Sequence, residues 1–254
     1  MLAQERRKKI YELLQEDGSA RVGNLSIAFK VSEPTIRQDL EKLEQDGLII
    51  REHGGAMLKS VPQQVKSLSL QHLENMEKKD KIAAKAIEYI KNGDRIILDS
   101  GSTVTAIANR LGGKERLTVI TNALNIALIV GAEISCDLLV TGGEFKPPTL
   151  SLTGDKAASF FQDMYVDKLF LATGGISPNF ELTYPSLSDI SVKKAMIKAA
   201  TIVYLVADST KIGKLSFASL GSIKEIDYFI TDSGITKDNL ASLTDLGIKV
   251  IIAE

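Results

Sequence analysis

Val31-Ser32-Glu33-Pro34-Thr35-Ile36-Arg37-Gln38-Asp39-Leu40-Glu41-Lys42-Leu43 is the stretch whose reading organises the chain. Its spacing predicts a capped amphipathic helix. Ser32 is a good N-cap, because its hydroxyl can accept from the amide of Thr35. Pro34 sits in the first turn, where a missing N–H does little harm. Ile36, Leu40 and Leu43 recur at i, i+4 and i+7, and Asp46-Gly47 supplies a stop. At roughly 100° per residue, Pro34, Gln38 and Glu41 point away from the apolar stripe, with Thr35, Arg37 and Lys42 on its flanks.

Upstream, Leu2, Arg6, Ile10, Leu13 and Leu14 are spaced for a helix that ends at Asp17-Gly18. Residues 20–22 suit a short strand, and Leu25, Ala28 and Phe29 a second, brief helix. Downstream, residues 48–58 read as two short strands around Gly54-Gly55. Three helices and a hairpin within sixty residues predict a winged helix-turn-helix. In such a module the helix from Ser32 to Gln45 would read double-stranded DNA. Arg37 can grip guanine or phosphate, and Gln38 can pair bidentately with adenine. Ser32, Pro34, Thr35 and Lys42 lie beside them, and the hairpin could bring Arg51 and His53 to the backbone. The plainer alternative is a helix with a solvated polar face, and for His53 an ordinary turn residue.

Charge does not decide between these. The chain of 254 residues carries a net charge of −1, and residues 1–60 hold ten basic side chains against ten acidic ones. DNA binding therefore requires the charge to be sorted onto one face. Cys136 is the only cysteine, and His53 and His72 are the only histidines, which excludes a disulfide framework and a thiolate or multi-histidine metal site. No metal or cofactor is expected. The charged Glu5-Arg6-Arg7-Lys8-Lys9 start lacks the apolar core of a secretory signal, and no run approaches the roughly 20 apolar residues of a membrane span. A cytoplasmic protein with no membrane partner is expected.

Residues 60–77, polar and weakly periodic around Pro62, read as a linker between a domain at 1–59 and a second at 78–254. After a helix at 78–91, short apolar strands recur at Arg95–Leu98, 117–120, 137–140, 168–172, 201–206, 228–230 and 249–252. Helical stretches at 102–111, 123–130, 155–161, 188–200 and 237–246 separate most of them. This α/β alternation predicts a largely parallel sheet covered on both faces. Its strand ends open onto polar, glycine-bearing loops: Asp99-Ser100-Gly101-Ser102-Thr103, Thr121-Asn122, Thr141-Gly142-Gly143, Thr173-Gly174-Gly175 and Asp208-Ser209-Thr210-Lys211. Ligands bind at the carboxyl ends of parallel strands. Hydroxyls and amides at a helix start cradle phosphate, while Asp208 offers a carboxylate for hydroxyls and Lys211 an ammonium for an anion. One such loop would be an ordinary turn; five on one rim point to a small-anion or sugar-phosphate pocket. The chain has neither a Walker lysine pattern nor G-x-G-x-x-G, so no nucleotide cofactor is expected. Asp99, Asp208 and Lys211 could alternatively serve a sugar-phosphate isomerase. The attached DNA module argues against that.

With these residues in place, the chain resembles the DeoR family of bacterial transcriptional regulators over essentially its whole length. The N-terminal likeness rests on Val31-Ser32, Thr35-Ile36-Arg37, Asp39-Leu40, Leu43-Glu44, Gly47 and His53-Gly54-Gly55-Ala56. The C-terminal likeness rests on Asp99-Ser100-Gly101-Ser102-Thr103, Thr121-Asn122, Gly142-Gly143, Asp208-x-x-Lys211-x-Gly213 and Thr231-Asp232. The resemblance implies a sensor domain with a fold similar to ribose-5-phosphate isomerase and CoA-transferases, binding a phosphorylated sugar without turning it over. It further implies a repressor, usually oligomeric, released from its operator by that effector. Two places depart from the family pattern. Gln38 stands where arginine is common, and Ser177, Glu181 and Ser191 stand where an aspartate, a glycine and a glutamate are usual.

Overall fold

The computed structural model describes residues 2–17, 19–52, 54–58, 75–132 and 136–254, and the chain divides into two compact units, 1–71 and 72–254. The first contains α1 (Ala3–Asp17), β1 (Ser19–Arg21), α2 (Val22–Phe29), α3 (Glu33–Gln45), β2 (Ile49–Glu52) and β3 (Gly55–Leu58). β3 lies between β1 and β2 in an antiparallel sheet. Gly55 is required there, because a Cβ would stand 2.4 Å from the carbonyl oxygen of Ala20. Ile10, Leu14, Val22, Leu25, Ile36, Leu40, Leu43 and Ile49 form the core of this unit. The stripe read from α3 is therefore the face that packs. Ser32 caps α3 as expected, accepting from the Thr35 amide at 3.4 Å, and Gly47 follows the helix with φ 76°.

The second unit is built on a seven-stranded sheet of β4 (Arg95–Leu98), β5 (Leu117–Thr121), β6 (Cys136–Val140), β9 (Val166–Leu171), β12 (Ala200–Val206), β14 (Tyr228–Asp232) and β15 (Lys249–Ala253). Their order is β15-β14-β12-β9-β4-β5-β6, and every pairing is parallel. These are the seven strands expected from the sequence, each within two residues at either end. Helices α4 (Met76–Ile87), α5 (Ser102–Ala108) and α6 (Leu124–Gly131) cover one face. The other carries α7 (Asp155–Ser159), α8 (Leu187–Ala199) and α9 (Lys237–Asp245). Side chains alternate across the pleat: Ile96 and Leu98 pack with the first group, Ile97 with the second. In the central strands both faces are buried, so these strands read as largely apolar runs.

Five further strands have no counterpart in the sequence reading. β7 (Glu144–Lys146) pairs with β8 (Ser151–Thr153), and β11 (Glu181–Tyr184) lies between β10 (Gly175–Ile176) and β13 (Ala218–Ser222). They span two to five residues and mix polar with apolar side chains, too short to show a period. α4 begins at Met76, two residues before the expected start, and ends at Ile87. The expected linker lies largely outside the described residues.

The buried core of the first unit includes one ion pair. Arg6 Nε donates to Asp39 Oδ2 at 2.6 Å, with side chains 10% and 4% exposed, and Arg7 approaches the other oxygen at 3.8 Å. Breaking a buried pair leaves a stranded ion, so Asp39→Ala should cost about 3–5 kcal/mol of this unit's stability in urea unfolding. Replacing both partners, Arg6→Met with Asp39→Leu, should recover most of it; a cost under about 1 kcal/mol for Asp39→Ala would show that water reaches the pair.

Candidate functional site

On α3, Ser32, Pro34, Arg37, Gln38 and Lys42 are exposed, and Thr35 is half-buried beneath Ser32. The bases among them are locally paired. Arg37 donates to Glu33 at 3.0 Å, Lys42 lies 3.4 Å from Asp46, and Arg51 at the end of the hairpin's first strand donates to Glu44 at 2.7 Å. These exposed pairs are weak and can yield to phosphate. Gln38 makes no such pair. His53 lies outside the described residues. Asp39 is thus withdrawn into the core, while Glu33 and Asp46 each sit one turn from the base they pair with.

In the second unit, the parallel sheet brings the five sequence-expected loops to one edge. Chain order reverses between β4 and β9, since β4, β5 and β6 run outward one way and β9, β12, β14 and β15 the other. The loops part at such a point and leave a crevice. Asp99 occupies it, with no exposed surface. One of its oxygens accepts from the Ser100 amide at 2.6 Å and from the Lys193 ammonium, and the other from the Ala172 amide at 3.0 Å. Lys193, from α8, is also buried; it donates to the Ser100 hydroxyl at 3.2 Å and lies over the ring of Tyr184. The Tyr184 hydroxyl donates to the Ala172 carbonyl at 2.7 Å, which ties β11 to the end of β9.

Around Asp99, Ser100, Gly101 and Ser102 are half-buried and Thr103 is buried. Thr121, Asn122 and Thr141 are buried at the ends of β5 and β6. Among the described residues, four buried side-chain atoms have no hydrogen-bond partner: Asn122 Oδ1, Thr141 Oγ, Thr231 Oγ in β14 and, in α6, Asn125 Oδ1. Such orphan groups need a partner from elsewhere. On the far side, Asp208 accepts from the Thr210 amide at 3.1 Å and from Asn75 at 3.5 Å, and Lys211 is half-exposed three residues on. The neighbouring Asp232 accepts from the Ser209 amide at 2.7 Å, from Gly234 at 2.9 Å and from Lys78 at 3.1 Å. Burial raises the Asp232 carboxyl, and these donors outweigh it, leaving the group below the ordinary carboxylate range.

The glycines divide by role. Gly142 is open to solvent, whereas Gly174 and Gly175 lie where a Cβ would meet Ser216 at 2.9 Å and the Lys214 backbone at 2.6 Å. They admit the 213–216 segment to the rim. Ser177 closes the β10–β11 turn, accepting from the Glu181 amide at 3.1 Å. Lys193, Tyr184, Asn75 and Lys78 had no signal in the sequence beyond polarity; their positions follow from α8, β11 and α4 being brought to the sheet edge. A surface cavity of about 410 Å³ lined by Ile202, Lys224, Asp227 and Lys249 lies at the amino ends of the strands, on the opposite edge from the orphan groups. Among the described residues no cluster of three or more His, Cys, Asp or Glu side chains could hold a metal ion, and no helix is long and apolar enough to cross a membrane.

Residues 6–61 match the DeoR-like helix-turn-helix domain and residues 74–233 the DeoR C-terminal sensor domain. The chain belongs to the DeoR family. It is a DNA-binding transcriptional regulator and not an enzyme. It is 35% identical over 250 residues to the HTH-type transcriptional regulator YulB of Bacillus subtilis, covering 98% of this chain and 96% of that one. To the HTH-type transcriptional repressor GlcR of Bacillus subtilis it is 32% identical over 255 residues, covering 100% and 98%. To the HTH-type transcriptional regulator GlpR of Haloferax volcanii it is 33% identical, covering 99% and 98%. Among solved structures, a ribose-5-phosphate isomerase in complex with phospho-erythronic acid is similar over 54% of each chain at 18% identity and TM-score 0.40. The eIF2B delta subunit of Chaetomium thermophilum is similar over 66% of this DeoR-family chain and 59% of its own, at 17% identity and TM-score 0.45.

Burial pushes the Asp99 carboxyl up, and Lys193 with the two amides pulls it part of the way back. Lys193→Met removes the strongest of those opposing influences. The folded state then holds a proton on Asp99 that the unfolded chain has released, so the added stability is present at low pH and lost as pH rises through the folded pKa. Urea unfolding should show the variant losing more stability than the parent between acidic and neutral pH; parallel pH profiles would mean that Asp99 does not depend on Lys193.

Proposed function

We propose that this regulator is a repressor of a sugar-catabolism operon that binds double-stranded operator DNA and leaves it when a phosphorylated sugar occupies the strand-end crevice. The supporting observation is the strand-end crevice itself: Asn122 Oδ1 is buried without a partner at the end of β5, one strand away from the buried Asp99–Lys193 pair. Hydroxyls of a sugar would meet Asn122 and Asp208. A phosphate would take the hydroxyls of Ser100, Ser102 and Thr103, the amides of Gly101, Ser102 and Thr103, and the ammonium of Lys211. The names of relatives point the same way, among them a putative aga operon transcriptional repressor of Escherichia coli and a lactose phosphotransferase system repressor of Lactococcus lactis. On this reading residues 1–59 read DNA, 60–77 connect, and 78–254 sense the effector. The protein works in the cytoplasm as a homo-oligomer, since paired half-sites require paired modules.

A thermal-shift screen of pentose and hexose phosphates tests the crevice, because a ligand at about 100 times its Kd adds about 2.7 kcal/mol. No shift from any phosphorylated sugar would overturn the sensor reading. Asp208→Ala or Lys211→Ala should leave operator binding in gel shifts unchanged while abolishing release by the ligand so found. Loss of operator binding as well would instead mark a folding defect.

In the DNA-reading helix, Gln38 is exposed and takes adenine in the proposed complex, with Arg37 and Lys42 exchanging their acidic partners for guanine or phosphate. Gln38→Arg should change preference at one operator position by about 1–3 kcal/mol in a selection from randomised sites. An unchanged sequence preference would place Gln38 on solvent or phosphate.

A further inference from the structure

Two ion pairs are buried along one face of α8, one turn apart. Lys193 holds Asp99 at the end of β4, and Asp189 accepts from Lys146 on β7 at 2.8 Å, with side chains 7% and 12% exposed. The second pair belongs to the β7–β8 hairpin, which roofs the end of β5. The Leu152 amide donates to the Asn122 carbonyl at 2.7 Å, Asn122 Nδ2 to the Leu152 carbonyl at 3.0 Å, and the Leu124 amide to the Leu150 carbonyl at 2.8 Å. Lys146 stands opposite Ser151 in the hairpin register, and Ser151 bridges Ala123. Lys146 is thus carried on the structure that covers Asn122, whose Oδ1 is a buried orphan, and beside the strand that ends at the orphan Thr141 Oγ.

The two lysines differ in what they would leave behind. Lys193 cannot turn to a ligand without stranding Asp99, which has no exposed surface and is fixed by two backbone amides. Asp189 is better placed to lose its cation. It lies in the first turn of a 13-residue helix, where the helix dipole stabilises a negative charge. Lys146 also sits on a strand of three residues outside the main sheet, so a small hairpin movement suffices to re-aim it. We propose that Lys146 is a second ligand-binding cation of the crevice, which exchanges Asp189 for the anionic group of the effector, with Asp189 setting its affinity as a competing anion. The inference rests on the phosphorylated-sugar reading of the same crevice and adds to it a residue, a competitor and a moving part.

Competition gives the two partners opposite signatures. Calorimetric titration of the full chain with inorganic phosphate, and separately with glucose 6-phosphate, measures them. Lys146→Met should weaken phosphate binding by about tenfold or more, the worth of one hydrogen bond from a charged group. Asp189→Asn should tighten it several-fold, because the ammonium no longer has a carboxylate to leave. Lys146→Met leaves Asp189 buried and unpaired and can fail to fold, so the decisive variant is the double Lys146→Met/Asp189→Asn, which strands neither charge. It should melt near the parent temperature and bind as weakly as Lys146→Met. Parent-like binding by the double variant would overturn the proposal and leave the crevice reading standing. Equal weakening by Asp189→Asn and Lys146→Met would also overturn it, making the pair a structural pin. A parent protein that takes up neither probe, nor any member of the pentose and hexose phosphate screen, would remove the crevice reading and this inference together.

Discussion

A carboxylate sealed from water at the point where a parallel sheet reverses its chain order must be compensated on every side, and around Asp99 the sensor unit supplies that compensation from four elements. The strand end that carries it gives the Ser100 amide, the neighbouring strand gives the Ala172 amide, and α8 delivers the Lys193 ammonium. Tyr184, reaching across from the small antiparallel sheet, fixes the Ala172 carbonyl and lies beneath the ammonium. Each donor is brought by a different part of the chain. The cost of an unpaired buried charge therefore locks β4, β9, β11 and α8 into one arrangement at the mouth of the crevice. The glycines at 174 and 175 serve the same closure by letting the 213–216 segment approach.

The first unit uses buried charge for a related purpose. Asp39 lies among the polar residues of α3 in sequence, yet it is turned inward to Arg6 and removed from the surface that faces out. One acid is internal, and Glu33, Glu44 and Asp46 hold their bases in exposed pairs that cost little to exchange. The polar side of α3 is exposed while its apolar side carries the core.

Much of this was legible beforehand, and the reasons are physical. The stripe Ile36-Leu40-Leu43 and the cap at Ser32 are local, since they depend on spacing and on a hydroxyl three residues from an amide. The core strands were visible because burial on both faces of the central ones demands largely apolar runs. The five polar loops at the rim could be found from their place after those runs. The small sheets could not: β10 has two residues and β7 and β8 three each, below the length at which alternation can be told from chance. Their pairing depends on partners up to dozens of residues away.

By itself, then, the sequence determined the two-unit plan, the capped helix with its apolar stripe, the parallel sheet and the polar loops that gather at one edge of that sheet. Each is written in periodicity or in short-range hydrogen bonding. Only the tertiary structure decided that Asp99 takes Lys193, that Asp39 takes Arg6, and that Lys146 is held by Asp189, pairs separated by 94, 33 and 43 residues. A charged side chain carries no local mark of its partner. Which charges are buried, and against what, is settled when distant elements pack and leave each ion to find the compensation that burial requires.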